Sequence, residues 1–305
     1  MLVMVGLAFK LSLVPFHFWC PDAFEGASAE VAGFLAGRFQ GRSVRVACSV
    51  CRRAFRSASD SGTDDSVRIG LGVIAIITTT FGNLAAYSQT NLKRLFAYST
   101  IAHAGYMLMA VAAMLVMLNS SQAAGLGDDI HKSLAGLLYY LAVYLFMNLG
   151  AFAVVARARN YTFSEELDSL KGLSSQSVAL SITMAVCLFS LIGMPPFGGF
   201  FAKLMIFMSV YKAAQLHWAM YLVLAALGLN TVISLFYYVR ILKAIFLQPR
   251  PEDARPVQLP GIEGYYAVVL AVMVVLLGVA PQLMSGLSTI AGEAGHAVVS
   301  VAADR

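Results

Sequence analysis

Two lysines stand where a charge is expensive. Lys10 lies in VGLAFKLSLVPF and Lys203 in LFSLIGMPPFGGFFAKLMIF, each with apolar residues on both sides. A cation at the centre of a membrane helix costs about 2.5–3.5 kcal/mol on insertion scales. Either the side chain snorkels to an interface, or it is buried and used. Burial penalises the charged form, so the protonated and neutral forms of a buried amine come closer in energy. Such a group can gain and lose a proton, which a proton relay requires. Beside Lys203, Pro195-Pro196 with Gly193, Gly198 and Gly199 must interrupt the helix, because proline lacks the amide donor and clashes with the preceding turn. Broken helices at membrane depth survive only inside protein or beside a wet cavity, and they build ion sites in transporters. Lys203 falls about one and a half turns beyond the break.

His103 adds an imidazole. In YSTIAHAGYML, Ser99, His103 and Tyr106 recur at i, i+4 and i+7 and share a helix face. Tyr140, Tyr144 and Asn148 repeat the spacing, and so do Asn230, Ser234 and Tyr237. One such stripe is ordinary interhelical hydrogen bonding. Three, with two lysines, point to a polar path through a helical bundle. For His103, structural satisfaction and proton relay both stay open. His17, beside Pro15, reads as structural and near an interface, while His131, His217 and His296 fall in loops or near ends. Asp22, Glu25 and Glu30 cluster, but their loop position favours solvated or capping roles over a metal.

The elements that must place these groups are membrane helices. The chain has 305 residues, 59% hydrophobic and 12% charged, against about 25% charged in soluble domains. Apolar runs long enough for a hydrocarbon core of about 30 Å fall at 69–88, 95–118, 134–156, 178–210, 218–247 and 265–287, with a partial seventh in the first nineteen residues. The sequence starts without a basic region or cleavage site, unlike a signal peptide, and reads as beginning inside a membrane helix. A net charge of +5 gives no sign of nucleic-acid binding. No phosphate loop, dinucleotide fingerprint, nucleophile elbow or HExxH occurs. Cys20, Cys48, Cys51 and Cys187 form no disulfide framework, and Cys48-x-x-Cys51 is a weak metal or redox signal. Alternate loops carry Lys93, Arg94, Arg157, Arg159, Lys171, Arg250 and Arg255, against Lys132, Lys212 and Arg305 opposite. The richer side is expected in the cytoplasm, with the C-terminus outside.

Three motifs together, FKLSLVPFHFWCPDAFEGASAEVAGFL, GNLAAYSQTNLKRLFAYSTIAHAGYML and GMPPFGGFFAKLMIF, resemble the antiporter-like membrane subunits of respiratory complex I, the NADH-quinone oxidoreductase. The wording PFHFWCPDAFEGA is nearest to the N type of these subunits. The resemblance covers about residues 1–36 and 67–305. It implies an all-α polytopic fold of fourteen helices with two inverted five-helix repeats, of which this chain covers the later half, about seven helices. It also implies proton-transfer roles for Lys10 in the seventh helix and Lys203 in the twelfth, both broken, and places His103 in the tenth, near a central polar axis. Flavin and iron–sulfur clusters are implied in partner subunits only, with no cofactor or metal here. Partners would be the other membrane-arm subunits, the lipid bilayer and, through the complex, the quinone pool; the location would be the bacterial inner membrane. Two other readings stand: a subunit of a multisubunit sodium/proton antiporter, and a truncated remnant that does not pump. The family's fifth-helix glutamate would precede Met1.

One passage departs from the pattern. Residues 37–66 are Arg- and Ser-rich where relatives place an eighth helix carrying a lysine, and no lysine occurs there. The chain therefore divides into 1–36, an anomalous 37–66, and a six-helix domain at 67–305. Gly-Arg-Phe-Gln at 37–40 can be encoded GGT CGC TTC CAA, with GG opening Gly41; one base later the text reads Val-Ala-Ser-Lys. A frameshift near Ala36, restored before Val67, explains the stretch; a basic loop and a zinc-binding insert using Cys48 and Cys51 are the alternatives. Resequencing the locus is expected to restore an apolar helix with a lysine, and an unaltered reading would overturn the frameshift.

Overall fold

The computed structural model describes residues 2–36, 64–118, 120, 125–250 and 262–279. Most of the 37–66 passage with Cys48 and Cys51, and also Arg255, the end of the last apolar run, His296 and Arg305, lie outside the described residues. The described chain is a helical bundle. Its helices are α1 (Leu2–Lys10), α2 (Trp19–Gly26), α3 (29–36), α4 (Asp64–Tyr87), α5 (Leu92–Leu118), α6 (Gly127–Thr162), the short α7 (Leu173–Gln176), α8 (Val178–Ile192), α9 (Gly198–Leu216), α10 (Ala219–Leu247) and α11 (Ile262–Val279). Helix α4 begins three residues inside the passage read as anomalous. Four helices, α4, α5, α6 and α10, are long and apolar enough to cross a membrane, while α8 and α11 are shorter and apolar.

Helix α5 is the axis. It is buried on every side from Leu92 to Met117 with few exceptions, as expected of a helix walled in by others. It packs on α4, α2, α6, α9 and α10. Small residues set the α4–α5 approach: a Cβ on Gly82 would stand 2.7 Å from the Ala102 nitrogen, and one on Gly105 would collide with Thr79. Close backbone approach of this kind replaces the hydrophobic drive that lipid removes. Helix α6 is longer than its apolar run. Its 36 residues span about 54 Å at 1.5 Å per residue, so both ends project beyond the hydrocarbon layer.

The break expected at Pro195-Pro196 is present. Helix α8 stops at Gly193, whose φ of +87° closes the last turn with its amide on Phe189 and Ser190 carbonyls. A side chain at this φ is strained, so glycine fits. Helix α9 restarts at Gly198, and α11 braces the crossing: a Cβ on Gly278 would strike the Pro196 carbonyl. A second break follows Lys10. There Ser12 takes φ +54°, the Val14 amide donates to Thr78 Oγ1 at 3.2 Å, and the Trp19 indole donates to the Phe9 carbonyl at 2.8 Å.

The basic residues gather at one end of the bundle. Lys93 Nζ and Arg159 Nε reach the two oxygens of Glu165 at 2.8 and 2.9 Å, and Gly172 lies against Arg250. Asp22 and Glu25 turn to Arg94 at 3.3 and 2.6 Å, so they form an ionic surface patch, and Glu30 is exposed. His17 is buried, with its ring 4.3 Å from that of Phe81 on α4, which fits a structural role.

Gly199→Ala should destabilise the bundle by about 1–3 kcal/mol, since its Cβ would enter the Ser190 carbonyl. Gly228→Ala, with open space at the same position of α10, should leave the melting temperature of the purified protein unchanged or raised.

Candidate functional site

Ending α8 in mid-bundle strands its last carbonyls, which no following turn can satisfy. Lys203 supplies the missing donors. From α9 its ammonium reaches back to the carbonyls of Leu191 at 2.9 Å and Ile192 at 2.8 Å. A helix C-terminus carries partial negative charge, so the end of α8 stabilises a protonated lysine, with no carboxylate paired to it among the described residues. The stem passes beside Gly193, where a Cβ would stand 2.9 Å from its Cδ. The ammonium lies over the Tyr106 ring, 5.1 Å from its centroid, a further stabilisation of about 0.5–2 kcal/mol. Lys203 is 8% exposed. Ser190 completes the junction by accepting from the Gly199 amide at 3.0 Å, which caps the start of α9.

Tyr106 joins Lys203 to His103, whose ring meets it edge-on at 5.7 Å. His103 is 1% exposed. Its Nδ1 shares a hydrogen bond of 2.6 Å with Tyr140 Oη, and Nε2 lies 3.4 Å from Tyr238 Oη. Tyr238 Oη is 2.5 Å from Ser99 Oγ. Tyr144 packs its ring 4.9 Å from the imidazole and donates to Thr100 Oγ1 at 3.0 Å. The structure therefore unites the α5 and α6 stripes around His103. The α10 stripe joins them through Tyr237, which donates to Asn83 Oδ1 at 3.0 Å. Ser234 turns to its own helix at Thr231, and the buried Asn148 amide makes no hydrogen bond among the described residues.

Lys10 does not join this cluster directly. It is exposed at the last residue of α1, which corrects the expectation of burial: the helix ends at Lys10, so the residue does not stand in mid-helix. It borders a cavity of about 40 Å³ with Ser12, Trp19, Cys20 and Thr100. This volume exceeds the minimum of about 10–15 Å³ for a water, and it places Thr100 between Lys10 and Tyr144.

Several residues of the site escape the spacing argument. Asn83 of α4, Tyr238, Thr100 and Ser190 are all buried. Asn83 was visible as the lone amide of an apolar run, TTTFGNLAAY. Tyr238 was hidden beside Tyr237, because a face read at i+7 selects only one of two adjacent residues.

A family profile described as NADH:quinone oxidoreductase/Mrp antiporter, transmembrane, matches residues 1–229. NADH-quinone oxidoreductase subunit N 2 of Acidobacterium capsulatum is 39% identical over 93% of this chain and 55% of its own length. Subunit N 1 of Roseiflexus castenholzii is 37% identical over 93% and 51%. The chain thus spans about half the length of the curated relatives it matches. Among solved structures, respiratory complex I from Thermus thermophilus contains a chain 29% identical, with a TM-score of 0.72 over 93% of this chain and 57% of that one. A chain of the Mrp complex from Dietzia superposes with a TM-score of 0.75 over 95% of this chain and 56% of that one, at 21% identity, and shows the same fold.

Lys203→Met should leave the Leu191 and Ile192 carbonyls without donors, at about 1–3 kcal/mol each. The melting temperature should fall by more than in Lys10→Met; equal effects would contradict the capping role.

Proposed function

Since this chain belongs to the NADH:quinone oxidoreductase/Mrp antiporter transmembrane family, we propose that it acts as the N subunit of the membrane arm of an NADH-quinone oxidoreductase and carries protons across the bacterial inner membrane. NADH oxidation and quinone reduction take place in partner subunits, which hold the flavin and iron–sulfur clusters. Lys10, His103 and Lys203 are the proton-transfer residues.

The observation that carries the reading is the placement of Lys203. It sits in a broken membrane helix, compensated by carbonyl dipoles and, among the described residues, by no paired anion. A carboxylate partner would hold the proton on the amine; two carbonyls stabilise the ammonium and let it be discharged. His103, at the junction of Tyr140 and Tyr238, passes the proton between the Lys203 side and the hydroxyl groups around it. Lys10 is the second carrier, across the cavity from Thr100. A charge change in a neighbouring subunit drives each lysine between its protonated and neutral forms, while paths to the two membrane faces open in turn. Moving one charge against 100 mV requires about 2.3 kcal/mol, which the redox reaction supplies.

The same fold in the Mrp complex keeps a sodium/proton antiporter subunit as the second reading. Gene neighbours separate the two: flavin-subunit and hydrogenase-like genes alongside accompany the first.

Lys203→Ala in the assembled complex, reconstituted in vesicles, should cut proton uptake per NADH oxidised several-fold, with the complex still assembled. Unchanged uptake would remove Lys203 from the mechanism.

A further inference from the structure

The polar network has two arms of different chemistry. The hydrogen bonds around His103 run between the imidazole and hydroxyls: Tyr140, Tyr238, Ser99, Tyr144 and Thr100. Each such group can accept a proton at one lone pair and release another. From Tyr106 a second arm leads to Thr80 of α4 through two amides in succession. Asn83, 0% exposed, donates from Nδ2 to Tyr106 Oη at 3.3 Å and to the carbonyl and Oδ1 of Asn230, both at 3.1 Å. Asn230 Nδ2 donates in turn to Thr80 Oγ1 at 3.0 Å and to the Ala226 carbonyl at 2.9 Å. Thr80 is half-buried on α4, where it meets Asn230 of α10.

The orientation of both amides is fixed by their partners. A backbone carbonyl only accepts, so the Asn230 and Ala226 carbonyls require a nitrogen on the facing side of each amide. Asn83 Oδ1 is then left to accept from Tyr237. A primary amide has donors on nitrogen and acceptor lone pairs on oxygen, and neither group titrates. A proton reaching the oxygen can leave from the nitrogen only through the imidic-acid form. Asn83 turns the same nitrogen to Tyr106 and to Asn230, so it has no lone pair in the line to receive a proton. Asn230 is entered at oxygen and left from nitrogen. Both amides interrupt proton hopping while leaving the hydrogen bonds intact.

We propose that the Asn83–Asn230 pair is a proton barrier: it closes the line from Tyr106 to Thr80 and confines the protons of Lys203 and His103 to the hydroxyl arm. The pair satisfies the buried groups of α4, α5 and α10 and insulates in the same act. This rests on the proton-carrying reading above, and its test separates the two.

The whole complex in sealed vesicles, without NADH, is given a pH gradient, and its collapse is followed with a trapped dye. Asn83→Asp and Asn230→Asp singly leave one amide in place and should hold the gradient as the unaltered complex does. The pair N83D/N230D, and the smaller N83S/N230S, which puts hydroxyls and room for water in the line, should collapse it several-fold faster. Assembled double variants that hold the gradient, or a single exchange that leaks as fast as the double, would overturn the barrier. A second measurement needs no variant. A cryo-EM map of the unaltered complex that shows ordered water should contain no file of waters joining Tyr106 to Thr80 past the amides, and such a file would overturn it. The outcomes are independent of Lys203→Ala: a leak in the doubles with unchanged pumping in Lys203→Ala keeps the barrier and removes the carrier, and the reverse result does the opposite.

Discussion

An interrupted helix inside a membrane bundle strands carbonyl groups that neither the helix nor lipid can satisfy, and the rest of the structure follows from how that debt is met. Lys203 meets it at the end of α8. The glycines of the crossing let three backbones approach closely enough for α9 to present that lysine, and Ser190 caps the restart. The same device recurs at the ends of the bundle with other donors. Arg240 of α10 donates to the carbonyls of Tyr87 and Gln89 after α4, and Lys93 to those of Glu25 and Ala27 after α2. Lys93 also has an acidic partner in Glu165, which fixes its charge. The Lys203 ammonium is held by dipoles and a ring face, and that difference suits it to a changing proton load.

A bundle in lipid obtains little from apolar burial, so its specificity must come from close packing and polar pairs. Helix α5 shows both. Gly105 admits Thr79 of α4, and the face carrying Ser99, His103 and Tyr106 meets α6, α9 and α10 through side-chain hydrogen bonds and rings. Replacing α5 with any other apolar helix would keep the span and lose the register of the site. Support and chemistry therefore share residues here, and a substitution at Tyr106 or Asn83 would touch both.

The helices and the break at Pro195-Pro196 were legible because proline, glycine and apolar run length act locally. The stripe on α5 was legible because three residues share one face, and His103 does lie at the meeting point. Longer-range choices were not. Whether Tyr237 or Tyr238 faces the histidine depends on the rotation of α10, which its packing on α4 and α9 sets. Lys10 was expected to be buried because both flanks are apolar; the chain leaves its helix at that residue, which is exposed. Asp22 and Glu25 found Arg94, a partner about seventy residues distant that no local pattern indicates.

The central claim is that Lys203 changes its charge during turnover. Replacing it with S-aminoethylcysteine keeps length and shape and weakens the base. With the weaker base the protonated fraction is lost at lower pH, so the alkaline limb of the proton-pumping profile should move to lower pH while NADH oxidation by the detergent-solubilised complex keeps its own profile. A pumping profile that stays where it was would contradict the account, because it would mean that Lys203 holds one charge throughout.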